Sequence, residues 1–223
     1  MNYLVTRIMF SAVILFVGTA MAAEFDDAVK EGYQFLSAKQ YEKAAAAFRR
    51  GYALANGDAF KLAGILFAEG VALFRAEKTA LAEEVLQKSL TLRPDDPQTL
   101  YYLGYCRFKQ NDLETALLLM KKSFERSKKS VDRFMAIKTI CSFYAFYNRQ
   151  ADAISELEVV DSDAFTAQER LDARSMQLEY LGLMKDIPHP DNEMRRPRVR
   201  MRDYGSKSIR VTELPGRLCS HVQ

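Results

Sequence analysis

The stretch Leu100-Tyr-Tyr-Leu-Gly104-Tyr-Cys-Arg-Phe-Lys-Gln-Asn-Asp-Leu-Glu-Thr-Ala116 decides how this chain reads. A glycine sits inside a helix-forming run and a polar turn, Lys109-Gln-Asn-Asp112, follows it. With Gly104 as position i, Ala116 stands at i+12 and Met120 at i+16. The same spacing recurs as Gly32, Ala44 and Phe48, as Gly70, Ala82 and Leu86, and as Cys141, Ala153 and Leu157. The starts at 32, 70, 104 and 141 are therefore nearly evenly spaced. A period in that range marks a stacked-repeat architecture. Each unit reads as helix–turn–helix. The small residue on the first helix lets the alanine of the second approach closely, and the large residue one turn later fills the space beside them.

Working outward, the remaining turns fall at Ala38-Lys39-Gln40, Ala76-Glu77-Lys78 and Asn148-Arg149-Gln150. Arg93-Pro94-Asp95-Asp96-Pro97 ends one unit and starts the next: Pro94 stops a helix, Asp96 suits an N-cap, and Pro97 suits a first helical turn. About four extra residues around Asn56-Gly57-Asp58 separate the first two units and predict a longer turn or an offset in the stack.

The Leu100–Ala116 phrase, Gln40-Tyr41-Glu42-Lys43-Ala44-Ala45-Ala46-Ala47-Phe48, and the unit end Leu90-Thr-Leu-Arg-Pro94 resemble the tetratricopeptide repeat (TPR) family. That family's units are about 34 residues long. The resemblance covers roughly 25–167 and implies an all-α solenoid of about four repeats, at 25–58, 63–96, 97–130 and 134–167. The first and fourth units depart from the pattern in lacking the terminal proline, and Cys141 replaces the usual glycine. A capping helix over about 166–184 follows, opened by the capping box Thr166-Ala-Gln-Glu169. Leu171, Met176, Leu178, Leu181 and Met184 offer it a docking face, as the end of a solenoid requires.

In this family the first helices line a concave groove that holds a peptide or a partner helix. The implied stripes here are Val29, Tyr33 and Leu36; Phe67, Val71 and Phe74; Tyr101, Tyr105 and Phe108; and Lys138, Ser142 and Ala145. Tyr102 and Phe146 adjoin them, with Arg75 and Lys109 at the turn end. Aromatic anchors rimmed with cations suit a protein or peptide partner carrying apolar side chains and some negative charge. Phe67, Val71 and Phe74 equally suit packing between repeats. The repeats' carboxylate-gripping version needs Asn where Tyr33 and Tyr102 stand, so that specificity is not implied.

At the N-terminal end, residues 1–22 read as a secretory signal peptide. Arg7 precedes an apolar run from Ile8 to Thr19, and Ala20-Met21-Ala22 supplies a small-x-small site with cleavage after Ala22. The run is short of the roughly 20 residues that span a bilayer, which leaves an uncleaved membrane anchor as the lesser alternative. The expected protein, 23–223, is exported, with the bacterial periplasm as its compartment. Repeats occupy 23–185, and 186–223 is expected to be a disordered tail rich in Pro and Arg.

Charge is partitioned along the chain. The whole carries +3; Arg7 leaves with the signal peptide, the tail holds eight Lys/Arg against five Asp/Glu, and the repeats come out at −1. The sharpest tail feature is Arg195, Arg196, Arg198, Arg200 and Arg202, five arginines in eight residues. Such a segment suits anionic lipid, acidic glycan or an acidic protein face. Nucleic acid is not expected of an exported protein.

Little points to catalysis. The two histidines, His189 and His221, lie in the tail, and no nucleophile elbow, phosphate loop, HExxH or paired-Cys metal spacing occurs. Glu83-Glu84 and Asp95-Asp96 read as solvated faces and caps. No cofactor and no metal are expected. Cys106 and Cys141 sit in helical runs as small apolar residues, Cys219 lies near the end, and their pairing is left open, as is the oligomeric state. The expectation is a non-catalytic interaction scaffold of the cell envelope. The alternative is a surface-association protein held to anionic envelope material by its arginine-rich tail.

Overall fold

The computed structural model describes residues 23–55 and 57–185. The signal-peptide segment and the tail 186–223, with Arg195–Arg202, His189, His221 and Cys219, lie outside the described residues. Within them the chain forms nine α-helices and no strand: α1 (23–37), α2 (Tyr41–Leu54), α3 (Ala59–Arg75), α4 (Thr79–Leu92), α5 (Pro97–Lys109), α6 (Leu113–Arg126), α7 (Ser130–Phe146), α8 (Gln150–Leu157) and α9 (Ala167–Lys185). A 3₁₀ turn, Glu158–Asp161, joins α8 to α9. Each helix packs mainly on its sequence neighbours, so consecutive antiparallel hairpins stack side by side. No helix among the described residues is long and apolar enough to cross a membrane.

The recurring spacing is the packing unit. A Cβ on Gly32 would stand 2.6 Å from the Phe48 ring, one on Gly70 2.6 Å from Leu86 Cγ, and one on Gly104 3.2 Å from the Ala116 carbonyl oxygen. Ala44, Ala82, Ala116 and Ala153 are wholly buried at these crossings, with Phe48, Leu86, Met120 and Leu157 beside them. In the fourth unit Cys141 tolerates the close approach because its thiol donates to the Ala153 carbonyl oxygen at 3.3 Å.

Every hairpin turns in the same way. Lys39, Glu77, Asn111 and Asn148 adopt left-handed φ values of 58°, 61°, 64° and 56°. The amide after each one donates to the carbonyl five residues back, as Gln40 does to Phe35 at 2.8 Å and Asp112 to Arg107 at 3.0 Å. This is the Schellman closure, which satisfies the last carbonyls of the first helix. Between units, Asp96 caps α5, its carboxylate accepting from the Thr99 amide at 2.9 Å while also pairing with Arg93.

The irregular repeat length goes into helix, not loop. α3 and α7 have 17 residues each, against 13 in α5. The extra residues before units two and four therefore form an added N-terminal turn, about 6 Å at 1.5 Å per residue. On α3 that turn is capped by Asp58, whose carboxylate accepts from the Phe60 and Lys61 amides at 2.9 and 3.3 Å. The longer turn expected near Asn56-Gly57-Asp58 is thus a longer helix, and residues 59–62 and 130–133 are helical.

At the C-terminal end the capping box forms: the Thr166 amide donates to Glu169 at 2.7 Å, and the Glu169 amide donates back to the Thr166 hydroxyl at 3.2 Å. The docking face of α9 differs from the expected one. Ala173, Met176 and Tyr180 are buried and Leu183 packs beside them, whereas Leu171, Leu178, Leu181 and Met184 are exposed. The stripe that docks follows i, i+3, i+7, i+10 from Ala173. Tyr180, the largest fully buried side chain, anchors it in place of the leucines.

Candidate functional site

α3 and α7 flank the N-terminal part of α5 and leave a cleft of about 360 Å³, to which the added turn of α7 contributes Asp132. Phe67 comes from α3, Pro97, Gln98, Tyr101 and Tyr102 from α5, Ser123 and Ser127 from the α6 end, and Asp132 and Met135 from α7. The Phe67 and Tyr102 rings meet edge to face at 5.7 Å, and Tyr101 meets Tyr102 at the same distance. Ser123 and Ser127 spend their hydroxyl protons on the Pro97 and Ser123 carbonyls, both at 2.7 Å. Gln98 and Asp132 are exposed at the mouth, and neither side chain has a partner among the described residues. The arrangement is an apolar slot with polar groups at one end, the kind of recess that takes an anchoring side chain.

Beneath the slot the aromatic rings lock adjacent units together. Thr139 of α7 donates its hydroxyl to the Met135 carbonyl at 2.9 Å, so its oxygen accepts from the Tyr101 and Tyr105 hydroxyls at 2.9 and 3.3 Å. Burial, followed by the neighbouring Tyr101 hydroxyl, holds the Tyr105 phenol well above its ordinary pKa. Tyr105 packs against both hydrophobic clusters of the protein and bridges them.

The sequence-derived candidates separate into three groups. Phe67, Tyr101 and Tyr102 converge on the cleft, with Tyr105 below them. Val71, Phe74 and Phe108 are buried: Phe74 meets Tyr102 and Tyr105, and Phe108 stacks on Phe143 with ring centroids 3.9 Å apart. They support the wall from behind and present no free face, which corrects the expectation that they line the groove. For Val71 and Phe74 the packing reading is the one observed. Arg75 and Lys109 sit at the far, turn end of α3 and α5, with the Lys109 ammonium 4.7 Å from the Phe74 ring centroid. Lys138 lies on α7 over Phe134. Tyr33, 55% exposed on α1, packs one edge on Phe48 and is not brought to the cleft.

The two layers as wholes are nearly balanced, with seven cations against six carboxylates on α1, α3, α5 and α7 and seven against seven on α2, α4, α6 and α8, but charge is uneven beyond the first unit. α3, α5 and α7 carry six cations (Lys61, Arg75, Arg107, Lys109, Arg133, Lys138) against Glu69 and Asp132. α4, α6 and α8 carry four cations against six carboxylates. Arg107 pairs with Glu83, and Glu69 is buried against Arg49 at 2.8 Å. Arg75, Lys109 and Lys138 form no ion pair among the described residues. Cys106 and Cys141 are free thiols, and burial raises each pKa to about 12.

Neither a protein-family model nor a curated protein matches the sequence. Among solved structures, one crystal structure of MamA superposes with a TM-score of 0.52 at 15% identity, covering 70% of this chain and 81% of that one. A second MamA structure gives 0.53 at 13% identity, covering 74% and 90%. YrrB, a TPR protein with an unusual peptide-binding site, gives 0.49 at 18% identity, covering 69% and 71%. The fold is that of a TPR solenoid. The helical hairpins, the glycine–alanine crossings and the common turn of this chain are its own evidence for that architecture.

Sequence reasoning missed Gln98, Ser123, Ser127, Asp132 and Met135. Only Asp132 had a signal in the sequence, since it lies in the three residues by which the interval from 104 to 141 exceeds that from 70 to 104; the others are placed by packing between units.

Proposed function

We propose that this chain is a non-catalytic protein–protein interaction scaffold that holds a peptide or helix of a partner along its first helices. The observation that carries this reading is the cleft between α3, α5 and α7, with Phe67, Tyr101, Tyr102 and Met135 available to an apolar anchor. Arg75 and Lys109, without ion pairs at the turn end of α3 and α5, favour negative charge on a partner segment where it runs past that end, away from the anchor. The signal-peptide pattern of residues 1–22 supports a scaffold of the cell envelope, in the periplasm of a bacterium.

The test is affinity capture from the cell envelope with surface-preserving variants. Met135 is 46% exposed, so Met135→Asp leaves the core intact and puts a charge into the slot. Capture is expected to fall about tenfold or more, the scale of losing one anchor contact. Leu118→Asp, at a 54% exposed position of α6, serves as the control and retains capture. Equal capture by both variants would refute the groove. N-terminal sequencing of the protein recovered from the envelope tests export: it should begin at Ala23, and an intact Met1 would contradict it.

A further inference from the structure

A second surface lies at the C-terminal end of the solenoid. Residues 150–185 carry eight carboxylates against Arg170, Arg174 and Lys185. Asp152, Glu156 and Asp161 are paired with Arg149, Lys121 and Arg174, and Glu169 serves the capping box. Glu158, Asp163, Asp172 and Glu179 are exposed and have no cation partner among the described residues.

On α9 the side opposite buried Tyr180 carries Leu171, Leu178 and Leu181, 60%, 70% and 44% exposed, with Arg174 in the same line and its charge met by Asp161. Ser175 and Gly182 lie along one side of the leucines, and a Cβ on Gly182 would meet nothing within 4 Å. Asp172 and Glu179, seven residues apart, run along one flank of this ridge. A solenoid's terminal helix ordinarily turns a polar outer face to water. Here that face instead exposes three leucines along about three turns.

The chain itself supplies an occupant of matching chemistry. Residues 186–223 follow α9, and Arg195–Arg202 begins after nine intervening residues that include Pro188 and Pro190. Nine extended residues span up to about 30 Å, enough to turn back at the helix end. The ridge from Leu171 to Met184 is about 20 Å long and eight extended residues cover about 26 Å. In an extended segment Val199 and Met201 share one side while Arg198, Arg200 and Arg202 share the other. The first-helix groove, with Arg75, Lys109 and Lys138 unpaired, carries the same sign as this segment and repels it.

We infer that residues 195–202 dock on the outer face of α9 of their own chain, Val199 and Met201 against Leu171, Leu178 and Leu181, with the arginines reaching Asp172 and Glu179. The docked segment completes the solenoid's end in the way a further helix would, and masks five arginines that would otherwise attract acidic surfaces.

Tryptic cleavage within Arg195–Arg202 tests this in the full chain, compared with a synthetic peptide of residues 186–223. Docking predicts cleavage slower than in the free peptide by about tenfold or more, since proteolysis follows the open fraction. The triple variant Leu178→Gln/Glu179→Gln/Leu181→Gln changes only exposed positions. It should melt as the parent does and be cut at the peptide's rate. Cleavage of the parent at the peptide's rate overturns the inference, as does protection that survives the triple variant. Protection that grows with protein concentration would assign the face to a second copy. Protection appearing only with anionic phospholipid vesicles would assign the segment to a membrane surface. Either of those results also overturns it.

Discussion

Two glycines of α3 should respond in opposite ways to the same substitution. Gly64 has nothing within 4 Å of a built Cβ, so Gly64→Ala gains helix propensity alone, about 1 kcal/mol. At Gly70 the same methyl would lie 2.6 Å from Leu86 Cγ and 2.7 Å from Cδ2, with the Ala82 carbonyl oxygen at 3.5 Å. Carbon contacts relax only near 3.5–4.0 Å, and Cγ is the branch point of a fully buried side chain. Relief therefore requires moving α4 or forcing Leu86 off its rotamer. Overpacking of this kind costs roughly 1–3 kcal/mol, which outweighs the same propensity gain and leaves Gly70→Ala destabilising by about 1 kcal/mol. The two variants should differ by about 2 kcal/mol, or roughly 4–8 °C in Tm for a domain of this size. Urea and thermal unfolding followed by circular dichroism read the difference. The clash also predicts coupling: Leu86→Ala should cost less in the Gly70→Ala background than alone. If Gly70→Ala stabilises as much as Gly64→Ala, the glycine–alanine crossing is not the packing unit.

The left-handed turn positions give a second set of variants. Lys39→Gly and Glu77→Gly each relieve a strained φ and should stabilise by about 0.5–1 kcal/mol after the glycine's unfolded-state entropy is counted; unchanged unfolding midpoints would contradict the turn geometry. Thr139→Val leaves the Tyr101 and Tyr105 hydroxyls without their shared acceptor and should cost about 1–3 kcal/mol, measured by urea unfolding. In a Cys219→Ser variant, native Cys106 and Cys141, with pKa values near 12, should alkylate about a thousandfold more slowly at pH 8 than an ordinary thiol; rapid labelling would show that they are accessible. The raised Tyr105 phenol makes the fold lose stability in alkali. Its contribution is complete below the unfolded value near 10 and falls as pH rises above it, so ultraviolet titration should show Tyr105 ionising only with unfolding.

What the sequence disclosed was local and periodic. Gly32, Gly70 and Gly104, with their partners at i+12 and i+16, could be read because a backbone crossing admits few residue types. Asp96-Pro97 and Thr166–Glu169 could be read because caps have short-range chemistry. Helix length was harder. The added turns on α3 and α7 looked like loop, since residues 59–62 and 131–133 lie outside the family's repeat register and only the Asp58 cap marks the true start of α3. Surface and core were harder still. Phe74, Tyr101 and Phe108 occupy similar stripes, yet stacking on Phe143 removes Phe108 from the surface while Thr139 leaves Tyr101 half-buried at the cleft. These outcomes depend on the neighbouring unit, which a single helix's periodicity does not contain. On α9, weighting leucine over alanine and tyrosine chose the outer face instead of the docked one.

The groove is tested most directly by photo-crosslinking in the cell from single positions carrying a photoreactive residue, one at Gln98 in the cleft and one at Leu118 on α6. Both side chains are exposed, so neither replacement disturbs the core. A partner held in the groove gives a discrete adduct from position 98 that Met135→Asp abolishes, and none from position 118. An adduct from position 118 alone would place the interaction on the second-helix face and contradict the account.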